Sequence, residues 1–136
     1  MNNEINKLLK PNKEILSHDQ AFKLKVSFLE KNKIQVSWDI SKGCYLYKNI
    51  FSFKDIYQDK VETSGFPNGE MKKDEYFGEM EVFFSEVKTY IDINNLKGNK
   101  IIVTYQGCSE KGYCYPPIHK EISIFSTRKE IKIEAF

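Results

Sequence analysis

The chain has 136 residues, a size that favours one domain with a real core, and it is 40% hydrophobic and 14% aromatic. A formal charge of +2, with acids and bases interspersed, leaves no basic footprint for nucleic acid and no polybasic patch for a membrane surface. No apolar run approaches the roughly 20 residues of a membrane-spanning helix.

Residues 1–18 form a polar, lysine-rich arm, in which Ile5, Leu8 and Leu9 have the spacing of one helical turn. No apolar stretch of a signal peptide follows Met1; taken alone, that implies the cytoplasm. From Phe22 the pattern changes to period two. Phe22, Leu24, Val26 and Phe28 alternate with polar residues, and Ile34, Val36, Trp38 and Ile40 do the same. Each run describes a strand with one buried and one solvated face. The stretch from Tyr45 to Tyr57 supplies one or two further strands, and Phe66-Pro67-Asn68-Gly69 has the composition of a turn. Strands are expected over Glu79–Ser85 and Val87–Ile93, then over Ile101–Tyr105 and Ile118–Phe125. Residues 127–136 are a last strand or the start of a linker. No long amphipathic helix, repeat or low-complexity tract is present. Many short strands at this spacing imply an all-β fold, an antiparallel sandwich of the immunoglobulin-like kind, over residues 19–126.

The chemistry concentrates in Tyr105-Gln106-Gly107-Cys108-Ser109-Glu110-Lys111-Gly112-Tyr113-Cys114-Tyr115-Pro116-Pro117. Strand-like runs flank this stretch, and Glu110-Lys111-Gly112 supplies the turn between its arms. Cys108 and Cys114 therefore lie near a hairpin tip at disulfide distance. Their spacing is not C-x-x-C, and Pro116 and Pro117 forbid a helix beside Cys114, so no helix dipole tunes these thiols. A structural staple and a redox pair both fit the spacing. A staple across so short a loop contributes only about 2 kcal/mol, which a domain of this size does not need. Cys44 is left over as a third, unpaired cysteine and has the character of a small buried hydrophobe. His18 and His119 lack the spacing of zinc ligands with the cysteines, and no metal site is expected.

The segment Tyr105–Pro117 resembles the active-site hairpin of the N-terminal periplasmic domains of the DsbD thiol:disulfide interchange proteins. Gly43-Cys44-Tyr45-Leu46-Tyr47 resembles that family's Gly-x-Tyr-Leu-Tyr segment, and Asp74-Glu75-Tyr76-Phe77-Gly78 its Asp-Glu-Phe-Tyr-Gly cap loop. Together the three segments extend the likeness from about Asp19 to Phe125. The resemblance implies an immunoglobulin-like fold and a redox-active Cys108–Cys114 pair, with Cys114 meeting the partner and Cys108 resolving the mixed disulfide. It places Asp74, Glu75, Tyr76, Phe77 and Gly78 over the sulfurs as a cap, with Tyr45 and Tyr47 as the wall that supports it. Carboxylates there would raise the thiol pKa and relay protons. The order Tyr76-Phe77 departs from the family's Phe-Tyr, so which ring shields the sulfur is open. The implied role is that of one domain of a larger protein-disulfide reductase. It would take electrons from a thioredoxin-like C-terminal domain of the same full-length protein. It would pass them to periplasmic disulfide isomerases and a cytochrome c maturation thioredoxin, with no cofactor beyond the disulfide. A periplasmic location then requires that the chain be an excised domain without its export signal and membrane domain. The alternative is a β-sandwich binding module with a purely structural disulfide.

Overall fold

A computed structural model describes residues 15–136; the part of the expected N-terminal arm that carries Ile5, Leu8 and Leu9 lies outside them. The first element among the described residues is a single helical turn, α1 (His18–Ala21), closed by a capping box between Ser17 and Gln20. Strands β1 (Phe22–Glu30) and β2 (Lys33–Ile40) form a hairpin, and β3 (Cys44–Tyr47) follows after Gly43. A 3₁₀ turn at Lys48–Ile50 leads to β4 (Ser52–Lys54). Then come β5 (Glu70–Asp74), β6 (Gly78–Phe83) and β7 (Glu86–Asp92), a second 3₁₀ turn at Ile93–Asn95, and β8 (Lys100–Tyr105). The last four strands are β9 (Gly107–Ser109), β10 (Tyr113–Cys114), β11 (Ile118–Phe125) and β12 (Glu130–Ala135).

Among the described residues the strands pair antiparallel in three sheets, ordered β1-β2-β7, β10-β9-β3-β6-β5 and β12-β11-β8-β4. This is the expected all-β, immunoglobulin-like sandwich. The main core lies where alternate residues of the sheets meet: Phe22, Ile34, Val36 and Trp38 from one side, Ile101, Val103 and Ile122 from the other. Trp38 packs edge-on to Phe51 and Tyr105, with ring centroids 4.8 and 5.3 Å away. Beyond residue 126 the chain stays in the fold, because β12 pairs with β11 from Phe125↔Glu130 to Lys120↔Ala135.

Two local expectations are corrected. Residues 66–69 make no turn and run as irregular chain. The Phe66 ring is held among Phe51, Phe53 and Phe83, and the Gly69 N–H donates to Glu81 Oε2 at 2.6 Å rather than to a nearby carbonyl. Tertiary packing there overrides turn composition. The turn forms earlier, where Gln58 N–H donates to the Asp55 carbonyl, so the expected strand region ends at Lys54 and not at Tyr57. Strand β5 was not expected. Its sequence, Glu-Met-Lys-Lys-Asp, lacks apolar alternation because it is an edge strand exposed over much of its length.

Strand β3 positions the site. All four of its residues are buried, although a strand's side chains alternate between faces. Cys44 and Leu46 enter the main core, while Tyr45 and Tyr47 enter a second cluster with Val82 and Cys108. Its neighbour β9 fits closely because position 107 is glycine. A Cβ there would overlap the Tyr45 carbonyl oxygen and stand 2.7 Å from the Phe22 ring. Gly107→Ala must therefore push β9 off β3. It is expected to lower unfolding stability by roughly 3 kcal/mol, the upper range for overpacking against fixed backbone. Urea denaturation of the oxidised protein measures this; an unchanged midpoint would mean that the strands can separate freely.

Candidate functional site

Strands β9 and β10 are the arms of the cysteine hairpin. Their register pairs Tyr113 with Ser109 and Cys114 with Cys108, which places the two cysteines directly opposite each other. They are joined as a disulfide with Cα atoms 4.0 Å apart. The flanking motif residues hold this geometry. Gln106 donates through Nε2 to the Tyr115 carbonyl at 2.9 Å, its own carbonyl accepts from Tyr47 N–H at 3.0 Å, and Tyr115 N–H donates to the Gly107 carbonyl at 3.0 Å. Tyr115 is anchored in turn by its hydroxyl, which donates to the Leu16 carbonyl at 2.6 Å. Gln106 and Tyr115 thus belong to the site as supports. Their signal in the sequence was only their place inside the motif.

The two cysteines differ in burial. Cys108 is fully buried, whereas Cys114 is half-buried on an edge strand. Behind Cys108 stands Tyr47, whose hydroxyl is 2.8 Å from Cys108 Sγ and 3.7 Å from Cys114 Sγ. The same hydroxyl donates to Asp74 Oδ2 at 2.7 Å, and the Tyr45 hydroxyl donates to that oxygen as well. The other oxygen, Oδ1, accepts the backbone N–H groups of Tyr76 and Phe77 at 2.8 and 2.9 Å. Asp74 is thus a buried carboxylate satisfied by four donors.

These contacts set the protonation states. Burial pushes Asp74 up, but the bonds from Tyr45, Tyr47 and the two amides outweigh it and hold the carboxyl below its ordinary range. Burial, reinforced by the bond to the carboxylate, pushes both tyrosine hydroxyls up. At neutral pH the network therefore holds one negative charge, on Asp74, and Tyr47 is its link to the sulfur.

Asp74 ends β5 and Gly78 starts β6, paired across the strands, so Glu75-Tyr76-Phe77 is a three-residue hairpin loop. Gly78 has φ +78°, the left-handed conformation such a loop requires. The Phe77 ring lies edge-on to Tyr47 with centroids 5.1 Å apart, and the Tyr76 hydroxyl donates to the Gly112 carbonyl at 2.7 Å. Both aromatic side chains are about half exposed. The two acids separate in role of place: Asp74 is inside, while Glu75 is an exposed rim residue. Beside them, a polar cavity of about 200 Å³ is lined by Tyr45, Lys72, Asp74, Glu75, Ser109 and Glu110.

Cys44 is buried and free, on the opposite face of β3 from Tyr45. Burial, and then the charge of Glu110, push its thiol up, which leaves it a poor nucleophile. Among the described residues no group of three or more metal-ligating side chains converges. His119 Nδ1 lies 2.8 Å from the Thr104 hydroxyl, and His18 pairs with Asp19.

Comparison with known proteins gives a consistent result. A family model described as "Thiol:disulfide interchange protein DsbD, N-terminal" matches residues 12–126. The thiol:disulfide interchange protein DsbD of Colwellia psychrerythraea is 37% identical over 113 residues, which cover 82% of this chain and 18% of that protein. DsbD 1 of Pseudomonas aeruginosa is 37% identical over 112 residues, 80% of this chain and 19% of that protein. The chain thus spans about a fifth of the length of these curated relatives. The reduced DsbD N-terminal domain of Neisseria meningitidis superposes with a TM-score of 0.73 at 28% identity, covering 90% of this chain and 96% of that one. A chain from the complex between the DsbD N-terminal and PilB N-terminal domains of the same organism gives 0.66 at 30% identity, over 82% and 88%.

The network makes a pH signature. A carboxyl held lower in the folded than in the unfolded chain stabilises the fold above the unfolded value, and this contribution is lost as pH falls through the folded one. Asp74→Asn should cost about 2 kcal/mol at pH 7, since hydrogen bonds to a charged acceptor are lost. The gap between the two proteins should shrink as pH drops below about 4, near the ordinary aspartate value. Urea unfolding of both at a series of pH values checks this; a gap that does not vary with pH would exclude a role for the charge.

Proposed function

The chain belongs to the family of DsbD N-terminal domains, and on that premise we propose that it is a thiol:disulfide exchange module whose reactive pair is Cys108–Cys114. One observation carries the reading: of two cysteines facing each other across a hairpin, Cys108 is fully buried against Tyr47, whereas Cys114 keeps part of its surface exposed on an edge strand. A merely structural bridge needs neither this asymmetry nor a buried charge behind it.

In the reduced state, the Cys114 thiolate attacks a sulfur of the partner's disulfide. A Cys114–partner bond forms, the partner's S–S bond breaks, and its second sulfur leaves as thiolate and is protonated. Cys108, as thiolate, then attacks Cys114 Sγ. The intramolecular disulfide re-forms, and the partner departs with two electrons and both sulfurs reduced. Recharging is the reverse sequence with a reduced donor. No group other than the disulfide is required, because the electrons travel in sulfur.

Tyr47 is suited to control the second step. It has one hydroxyl proton and two acceptors within reach, Asp74 Oδ2 and Cys108 Sγ. While it donates to the carboxylate, the nearby negative charge disfavours a thiolate on Cys108 and keeps the pair slow towards stray oxidants. If the proton swings towards sulfur, the thiolate gains a donor. Asp74 meanwhile keeps those of Tyr45, Tyr76 and Phe77. Glu75 and Gly78 frame the cap that limits access, with Tyr76 and Phe77 as its rings.

That the chain matches about a fifth of the length of its relatives supports reading it as one module of a larger protein. We assign residues 19–126 to the exchange domain, with 127–136 as its last strand. The activity of the whole is that of a periplasmic protein-disulfide reductase. Its electron donor is a thioredoxin-like domain of the same protein, and its acceptors are thioredoxin-fold isomerases and a cytochrome c maturation thioredoxin. The solved complex between the Neisseria domain and a PilB domain supports docking of this kind.

Single cysteine variants test the reading. Reduced Cys108→Ala, mixed with an oxidised thioredoxin-fold protein, should accumulate a mixed disulfide because nothing resolves it. Cys114→Ala should accumulate little, since its remaining sulfur is buried. Non-reducing electrophoresis and mass spectrometry read the result. No adduct with either variant would rule out exchange, and the reverse pattern would exchange the two roles.

A further inference from the structure

We infer that Tyr76 is a positioning residue that latches the cap shut by donating its hydroxyl hydrogen to the Gly112 carbonyl. The inference rests on the exchange reading only for its biological consequence, since the latch itself is defined by geometry. The bonds from the Tyr76 and Phe77 amides to Asp74 Oδ1 span two and three residues. They are local to the loop and survive if its tip swings outward. Two contacts then hold the tip: the Phe77 ring against Tyr47, and the 2.7 Å bond from Tyr76 Oη to Gly112, 36 residues away in sequence. Tyr76 and Phe77 are 51% and 49% exposed, so apolar burial gives the tip little further hold.

The acceptor is specifically placed. Gly112 has φ +94°, a conformation most residues avoid, and its N–H closes the hairpin turn by donating to the Ser109 carbonyl at 3.0 Å. The turn thereby presents the Gly112 carbonyl to the cap. Gly112 is also two residues from Cys114, so the cap is tied to the same hairpin that bears the reachable sulfur. Any approach to Cys114 that moves this tip also releases the strap. Phe77 has no hydroxyl to offer, which assigns the polar latch to Tyr76 and the ring contact with Tyr47 to its neighbour.

Tyr76→Phe separates the latch from the shield, because it keeps the ring and removes only the hydroxyl. A single exposed neutral hydrogen bond shifts an opening equilibrium by about 2- to 10-fold. The oxidised 136-residue chain is reduced with excess dithiothreitol and, separately, with a phosphine; each delivers two electrons to the Cys108–Cys114 bond. Since opening precedes attack, Tyr76→Phe should speed both reductions by the same factor, within that range. Amide hydrogen exchange gives an independent readout. The Tyr76 and Phe77 amides, bonded to Asp74 within the loop, should keep their protection in the variant, as should the Tyr47 amide, bonded to the Gln106 carbonyl. Unchanged reduction rates, or acceleration with one reductant only, would overturn the latch. Faster exchange at any of these three amides would overturn it too, by showing general loosening rather than release of a latch. These measurements use no protein partner, so they can fail while exchange with thioredoxin-fold proteins stands, and the reverse.

Discussion

A single buried carboxylate organises this end of the molecule. Asp74 closes β5, accepts both tyrosine hydroxyls of β3, and fixes the two amides that shape the cap. An ionised carboxylate withdrawn from water is tolerated only with its acceptor sites filled, and four donors do that here. The requirement acts in both directions. The tyrosines must stay protonated and point at Asp74, and the loop from 75 to 77 must bend so that its amides reach the other oxygen. Cap, wall and charge are therefore one unit, which meets the sulfurs through the Tyr47 hydroxyl.

That unit depends on a strand buried on both faces. In most antiparallel strands of a small sandwich one face meets water, and the alternation in β1 follows that rule. Strand β3 sends Cys44 and Leu46 into the main core and Tyr45 and Tyr47 into the smaller cluster. The site is thus fastened to the main core by a four-residue element. Gly107 permits β9 to lie close enough for Cys108 to meet Tyr47, and Gln106 ties both strands to the descending arm at Tyr115. A disulfide on a loop would wander; this one is held in a ladder.

The consequence is a difference in surroundings between two chemically identical side chains. Cys108 is placed by β9 against the buried hydroxyl, and Cys114 by the short edge strand β10 towards the surface. After Tyr115 come Pro116 and Pro117, both exposed, so the ladder stops there and the edge stays short. Short edges resist indiscriminate strand pairing.

The alternation of Phe22–Phe28 and Ile34–Ile40 already described the first hairpin, because a strand with one wet face writes its period into the chain. The runs at 101–105 and 118–125 were legible for the same reason. The two cysteines were legible as a close pair, since two strand-like runs and a turn fix their separation without long-range information. By contrast, β5 was invisible, because an exposed edge strand needs no apolar alternation, and residues 66–69 have turn composition yet are straightened by the packing of Phe66. The motifs carried Asp74, Tyr45, Tyr47 and the cap as a resemblance, but composition alone could not bring them together, for 27 residues separate Tyr47 from Asp74 and 61 separate it from Cys108. Local chemistry determined where strands and a disulfide form. Only the tertiary structure decided that Cys108 is fully buried and Cys114 only partly so, that Asp74 is buried while Glu75 is not, and that Tyr76 reaches Gly112. Burial and hydrogen-bond partners at such separations depend on how the sheets pack, and no local pattern encodes that.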